Sequence, residues 1–248
     1  MKVLHDGIGI RGSHKTPPIV MVRENIEARP ITSRTRTGRA FLIDTFEEYT
    51  AAVTEKWVQR FGTLGLATDF PKQGKSCMSL TTGATAADVA HASVFIGCPI
   101  KTRIGIEFDF MCNSLMADVT ALFIGLIYYD GTESHDASVK YLCSTDIKWQ
   151  YQSSPATWTD ITGGSQNIYF SISGHVWNNV KFVADIKAEE FVSLSCNELD
   201  LDLSGLNIVS GANPSAPYLD ITFGIINENT GAARVLRVDN VILTDEEP

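Results

Sequence analysis

An all-β fold, two antiparallel sheets packed as a jelly-roll sandwich behind an extended N-terminal arm, is what this sequence predicts, and three observations predict it. Beyond about residue 40, apolar residues recur with a period of two, as in Arg103-Ile104-Gly105-Ile106-Glu107-Phe108-Asp109-Phe110. The apolar runs are short and end on turn residues such as Asp130-Gly131 and Asn227-Glu228-Asn229-Thr230-Gly231. Residues 1–40 have neither a helical nor a strand period and hold four glycines and three prolines. With 44% hydrophobic and 20% charged residues, the chain has ample material for a core.

The expected division is a basic arm over residues 1–40 and one sandwich domain over 41–248. The arm carries eight Lys or Arg against three Asp or Glu, and the remainder twelve against twenty-six, so a net +5 leader precedes a net −14 body. Such a leader cannot bury enough apolar surface to order itself. Its arginines Arg23, Arg29, Arg34, Arg36 and Arg39 are therefore expected to meet an acidic surface, that of another copy of the chain or of a larger particle. The alternatives are a solvated tail or a first strand laid on its own sandwich. Nucleic acid is disfavoured, because the total charge of −9 opposes phosphate neutralisation and the arm has no interleaved aromatics.

Taken in order, the body opens with Ala40–Phe46, followed by a short helical turn over 47–54 and a strand at Lys56–Gln59. Leu64–Thr68 and Cys77–Thr81 read as strands around Pro71-Lys72-Gln73-Gly74; Val89–Ile96 is ambiguous. Leu122–Tyr129 is apolar on both faces, the pattern of a central strand covered on two sides. Ala137–Cys143, Lys148–Gln152 and Thr157–Ile161 follow. The strongest pattern is a three-strand meander, Val176–Ile186, Phe191–Cys196 and Leu199–Ser204, joined by short polar turns. Tyr218–Ile226 and Arg234–Thr244 are expected to close the fold as a hairpin. The expected total is twelve to fourteen strands.

A Trp, a strand ending in Asp, a short turn and a third strand of the Asp-Leu-Ser type make residues 177–204 resemble the meander of concanavalin A-like (laminin-G-like) jelly rolls. Asp44-Thr45-Phe46-Glu47 and Val238-Asp239-Asn240-Val241 are similar to the opening and closing strands of jelly-roll modules of carbohydrate-active enzymes. The resemblance implies a structural calcium held between those strands, which nominates Asp44, Glu47 and Asp239; ordinary turn and cap carboxylates are the competing explanation. No other cofactor is expected.

Some enzymes of that family place carboxylates two residues apart on one strand, as Glu107 and Asp109 stand here, with a second Glu three residues on. Cys112 occupies that position, so the sequence reading is a protein that is not an enzyme. The five histidines have no metal spacing, and Gly7-x-Gly9-x-x-Gly12 follows no strand and opens no helix. The five cysteines have neither zinc nor disulfide spacing, so buried thiols from a reducing compartment are expected. Met1–Asp6 lacks a secretory apolar run and no stretch reaches membrane-spanning length, which predicts cytoplasmic synthesis and no membrane contact.

Sugar binding calls for aromatic platforms beside polar groups. Trp149 and Tyr151, spaced i and i+2, with Trp158 close by in sequence, are the candidate platform; core packing is the competing role. Two functions therefore stand at this stage. The first is a structural subunit that decorates or links a larger particle such as a phage virion through its arm. The alternative is a carbohydrate-binding, lectin-like module.

Overall fold

A computed structural model of the chain describes residues 39–49, 56–97, 103–112, 116–143, 147–165, 168–170 and 176–247. Its strands are β1 (Arg39–Asp44), β2 (Trp57–Phe61), β3 (Thr63–Ala67), β4 (Cys77–Thr81), β5 (Val89–Ile96) and β6 (Arg103–Cys112) in the first half. The second half contains β7 (Val119–Tyr129), β8 (Glu133–Leu142), β9 (Lys148–Ser154), β10 (Thr157–Ser165), β11 (Asn178–Asp185), β12 (Glu190–Cys196), β13 (Leu199–Asp202), β14 (Val209–Ala212), β15 (Tyr218–Asn227) and β16 (Val235–Asp245). All pairings are antiparallel, in two eight-stranded sheets.

The back sheet runs β13-β12-β11-β6-β16-β4-β3, and β1 takes the edge of β16 beyond the point where β4 stops. The front sheet runs β10-β9-β8-β7-β15-β5-β2, and β14 takes the edge of β8 beyond the point where β9 stops. The meander is present as read: β11, β12 and β13 are successive antiparallel neighbours.

The core lies between the sheets and follows from the alternation. Ile104, Ile106, Phe108 and Phe110 of β6, with Val180, Phe182 and Ala184 of β11, face Leu219, Ile221, Phe223 and Ile225 of β15 and Leu122, Ile124 and Leu126 of β7. Phe223 links the layers: its ring centroid lies 4.5 Å from that of Phe108 and 5.5 Å from that of Trp57. Cys77, Cys112, Cys143 and Cys196 are buried free thiols, as expected of the described cysteines; Cys98 lies outside the described residues.

Several expectations need correction. Sixteen strands are present among the described residues, more than the twelve to fourteen expected: β14 was not read from the sequence and the ambiguous run adds β5. Gly62, with φ of +67°, separates β2 in the front sheet from β3 in the back sheet; a Cβ there would sit 2.6 Å from the Thr81 carbonyl oxygen. The residues of β15 and β16 do not form a hairpin. Both edges of β15 are already taken by β5 and β7, so the chain crosses to the back sheet, and the Asn227 amide pins the crossing by donating to the carbonyls of Gly83 and Ala232. The ambiguous run Val89–Ile96 is a strand. Among the described residues the first strand begins at Arg39, which pairs with Asp245 through two hydrogen bonds, at 3.1 and 3.0 Å. Arg23, Arg29, Arg34 and Arg36, and with them the rest of the arm, lie outside the described residues.

Candidate functional site: a groove across the front sheet

The outer face of the front sheet carries a groove of about 430 Å³, and its shape follows from the register. Ser138, Gly125, Thr222 and Ser93 are successive partners across β8, β7, β15 and β5, so their small side chains form a floor running across the strands. Next to the floor runs a row of larger groups: Lys140, Phe123, Gly224, His91 and Phe61 are partners across β8, β7, β15, β5 and β2. Phe123 lies over Gly224, in space a Cβ would occupy, and meets His91 edge-on at 5.3 Å; Phe61 stacks on the other side of His91 at 6.0 Å. Phe61 is 62% exposed. The result is an aromatic wall beside a hydroxyl-lined floor.

The opposite wall is formed by Ile127 and Asp220, whose further partners in the same row are Asp136 and Phe95, with Tyr129 and Tyr218 stacked at 4.2 Å just beyond. Burial pushes the Asp220 carboxyl above the usual carboxylate range, partly offset by hydrogen bonds from Ser93 and Thr222. Asp136 is also raised, by burial and then by the charge of Asp220, although the Ser138 hydroxyl donates to it. Burial and the nearby Arg60 guanidinium hold His91 down to about 4, so its ring is neutral near pH 7; its Nε2 is buried and has no hydrogen-bond partner among the described residues. Burial and the Tyr218 hydroxyl push Tyr129 up to about 12.

Of the three aromatic residues nominated from sequence, Trp158 alone faces this groove. It lies opposite Gln152 at the β9–β10 end, where the Lys140 ammonium sits 4.4 Å from its ring centroid. The expected platform of Trp149 and Tyr151 is corrected: both point into the sandwich. Trp149 is 1% exposed and meets Tyr141 edge-on at 5.2 Å, and Tyr151 meets Phe191 of the back sheet at 5.5 Å. Their partners Tyr141 and Val139 face the core, so the same face of β9 does too.

Glu107 and Asp109 do share a face, but it is the outer face of the back sheet, remote from the groove. They are 8% and 9% exposed, and Asn240 and Asn179 donate to Asp109.

The three carboxylates nominated for calcium lie near one another and are bound to other partners. Asp44 accepts from the Phe46 N–H (3.0 Å), the Tyr49 hydroxyl (2.9 Å) and the Trp57 indole N–H (3.0 Å), and pairs with Lys56. Glu47 accepts from the N–H groups of Lys75 and Ser76, and Asp239 from those of Lys72 and Gln73, so the two clasp one β3–β4 loop. Among the described residues, a separate group, Asp130, Glu133 and His135 at the β7–β8 turn, brings one ligand atom from each within 4.8 Å of the others and could hold a metal ion. Asp130 already caps that turn by accepting from Thr132 and Glu133, and His135 Nδ1 lies 3.0 Å from the Ser210 hydroxyl.

The groove residues Asp220, His91, Phe123 and Gly125 were not singled out from sequence. The signal available was Leu122–Tyr129 itself. The sequence predicts a strand covered on two sides, but among the described residues its outer Phe123, Gly125 and Ile127 line the groove.

No protein-family model matches the sequence, and no curated protein matches it. The fold is a concanavalin A-like sandwich of the kind found in lectins and modules of carbohydrate-active enzymes. The chain is similar to a cellulose-induced protein, Cip1 (TM-score 0.53, 10% identity, 82% of this chain and 96% of that one). It is equally similar to an endo-β-1,4-glucuronan lyase from the fungus Trichoderma reesei (TM-score 0.53, 10% identity, 85% and 96% covered). The lectin UEA-II, in a structure with galactose, superposes with a TM-score of 0.50 at 9% identity over 83% of this chain and 98% of that one. The lyase overturns the expectation of a protein that is not an enzyme, because a sandwich of this shape supports catalysis there. Among the described residues, no helix is long and apolar enough to cross a membrane.

Proposed function

We propose that the chain binds an extended carbohydrate across the front sheet, along the floor of Ser138, Gly125, Thr222 and Ser93. The observation that carries this reading is the pairing of a hydroxyl-lined floor with a run of aromatic rings, Phe61, His91 and Phe123, in adjacent register rows. A pyranose has apolar faces and a rim of hydroxyls, so it needs both kinds of surface within one ring's width. With Phe61 included, the groove crosses five strands from β2 to β8, roughly 19 Å at the usual strand spacing, enough for several sugar units. Trp158 extends the aromatic surface at the far end. The lectin and carbohydrate-enzyme likenesses support the reading at the level of fold.

The test is calorimetric titration with a panel of neutral and charged oligosaccharides, repeated for Trp158→Ala and Gly125→Leu. Trp158→Ala removes a surface ring and is expected to weaken binding about tenfold, the order of one stacking contact. Gly125→Leu fills the floor and is expected to abolish binding while circular dichroism stays unchanged. If Gly125→Leu folds and binds like the wild type, the ligand does not lie in this groove.

A further inference from the structure

We propose that the groove selects a cationic carbohydrate, an amino sugar whose ammonium sits over Ile127 between Asp136 and Asp220. This rests on the carbohydrate reading and names the class of sugar.

Asp220 and Asp136 are the partners of Ile127 on its two sides, so all three project from the same face. Their Cα atoms stand two strand spacings apart, roughly 9.5 Å. One ammonium seated between them can donate to both carboxylates. Between them the two carboxylates have one cation among the described residues, Arg60, which pairs with Asp220 at 4.0 Å. Asp136 accepts from the Ser138 hydroxyl and has no Lys or Arg within ion-pair distance among the described residues. The nearest guanidinium nitrogen of Arg60 is 4.0 Å from Asp220, and that side chain is drawn aside to lie 4.7 Å from the Phe95 ring centroid.

Two half-paired carboxylates in one partly buried wall raise the free energy of the empty groove, and a ligand cation lowers it. The upward shift of both acids is the same imbalance seen from the proton's side. Beside them, the Tyr129–Tyr218 stack and Phe95 present ring surface for the carbon face of the sugar that bears the amine. A uronic acid placed here would add a third negative charge. The wall therefore discriminates by repulsion as well as attraction.

The test is titration of the full chain at physiological salt with a β-1,4-linked glucosamine tetramer, its N-acetylated counterpart, cellotetraose and 1,4-diaminobutane. The glucosamine tetramer is expected to bind at least about tenfold more tightly than the other two oligosaccharides, as one well-placed ion pair would give. Asp136→Asn and Asp220→Asn, which keep the shape and remove the charge, are each expected to abolish most of that preference while binding of the N-acetylated and neutral chains persists. Three outcomes overturn the proposal: equal binding of the three oligosaccharides; a preference that survives both variants, which traces it to the overall charge of −9; or a diamine that binds as tightly as the tetramer. If none of the oligosaccharides binds, the carbohydrate reading falls with it, and that result is distinct from binding without preference.

Discussion

At the scale of single residues, Asp239 shows how burial sets a proton affinity. Its carboxylate accepts three backbone N–H bonds, from Lys72, Gln73 and Asn240, yet burial pushes its pKa up to about 6, and the facing Asp109 adds to the shift. The folded state thus holds this proton more tightly than the unfolded chain does, where a carboxyl titrates near 3.8. Its contribution is fully present below pH 4 and is lost as the pH rises through 6, a swing of about 3 kcal/mol. Asp239→Asn is neutral throughout and can keep the two bonds to the β3–β4 loop. Urea denaturation at pH 4.5 and at pH 7.5 is expected to show the wild type gaining on the variant at the lower pH. Parallel pH dependences for the two proteins would show that Asp239 is ionised in the fold at both.

The alternation within β9 makes the residue-level roles legible in the sequence. Lys148, Gln150 and Gln152 alternate with Trp149 and Tyr151, and the polar set is the one that faces out, which assigns both rings to the core. The same rule puts Asp220, Thr222 and Gly224 outside on β15. A single sequence does not reveal that Asp220 and Asp136 flank the same Ile127, because that depends on the pairing of β15 with β7 and of β7 with β8, elements up to about ninety positions apart.

Between elements, the packing of β7 on β15 fixes the aromatic wall. Phe123 lies flat because Gly224 beneath it has no side chain. Gly224→Ala forces the ring to swing away from His91, at a cost of about 1–3 kcal/mol for overpacking. The displaced ring moves toward the groove, so carbohydrate affinity is expected to fall together with the unfolding midpoint. A variant that loses stability but binds normally would separate Phe123 from the site. The meander, the alternating β6 and the buried thiols were legible at this scale, because each is a local pattern. The crossing from β15 to β16 was not, since a turn-rich link between two apolar strands looks the same whether the strands pair or part.

For the molecule as a whole, β1 is the first strand among the described residues. Asp44 anchors it through Phe46, Tyr49, Trp57 and Lys56, and Arg39 ties its start to Asp245. A chain beginning at Arg39 is expected to unfold at the same denaturant concentration as the full chain. One beginning after Asp44 leaves the buried indole N–H of Trp57 without its acceptor and strips an edge from β16, at a cost of about 3 kcal/mol or more. A lower midpoint for the first truncation would place residues 1–38 within the cooperative unit.

The antiparallel pairing of β1 with β16 brings Arg39 and Asp245 side by side on the back sheet, while the groove opens on the front. The first and last strands of the described sandwich thus meet on the sheet opposite the proposed binding face. Anchoring it to a bead or a sensor chip by either end should leave ligand access intact, whereas random coupling through lysines, Lys140 among them, should impair it.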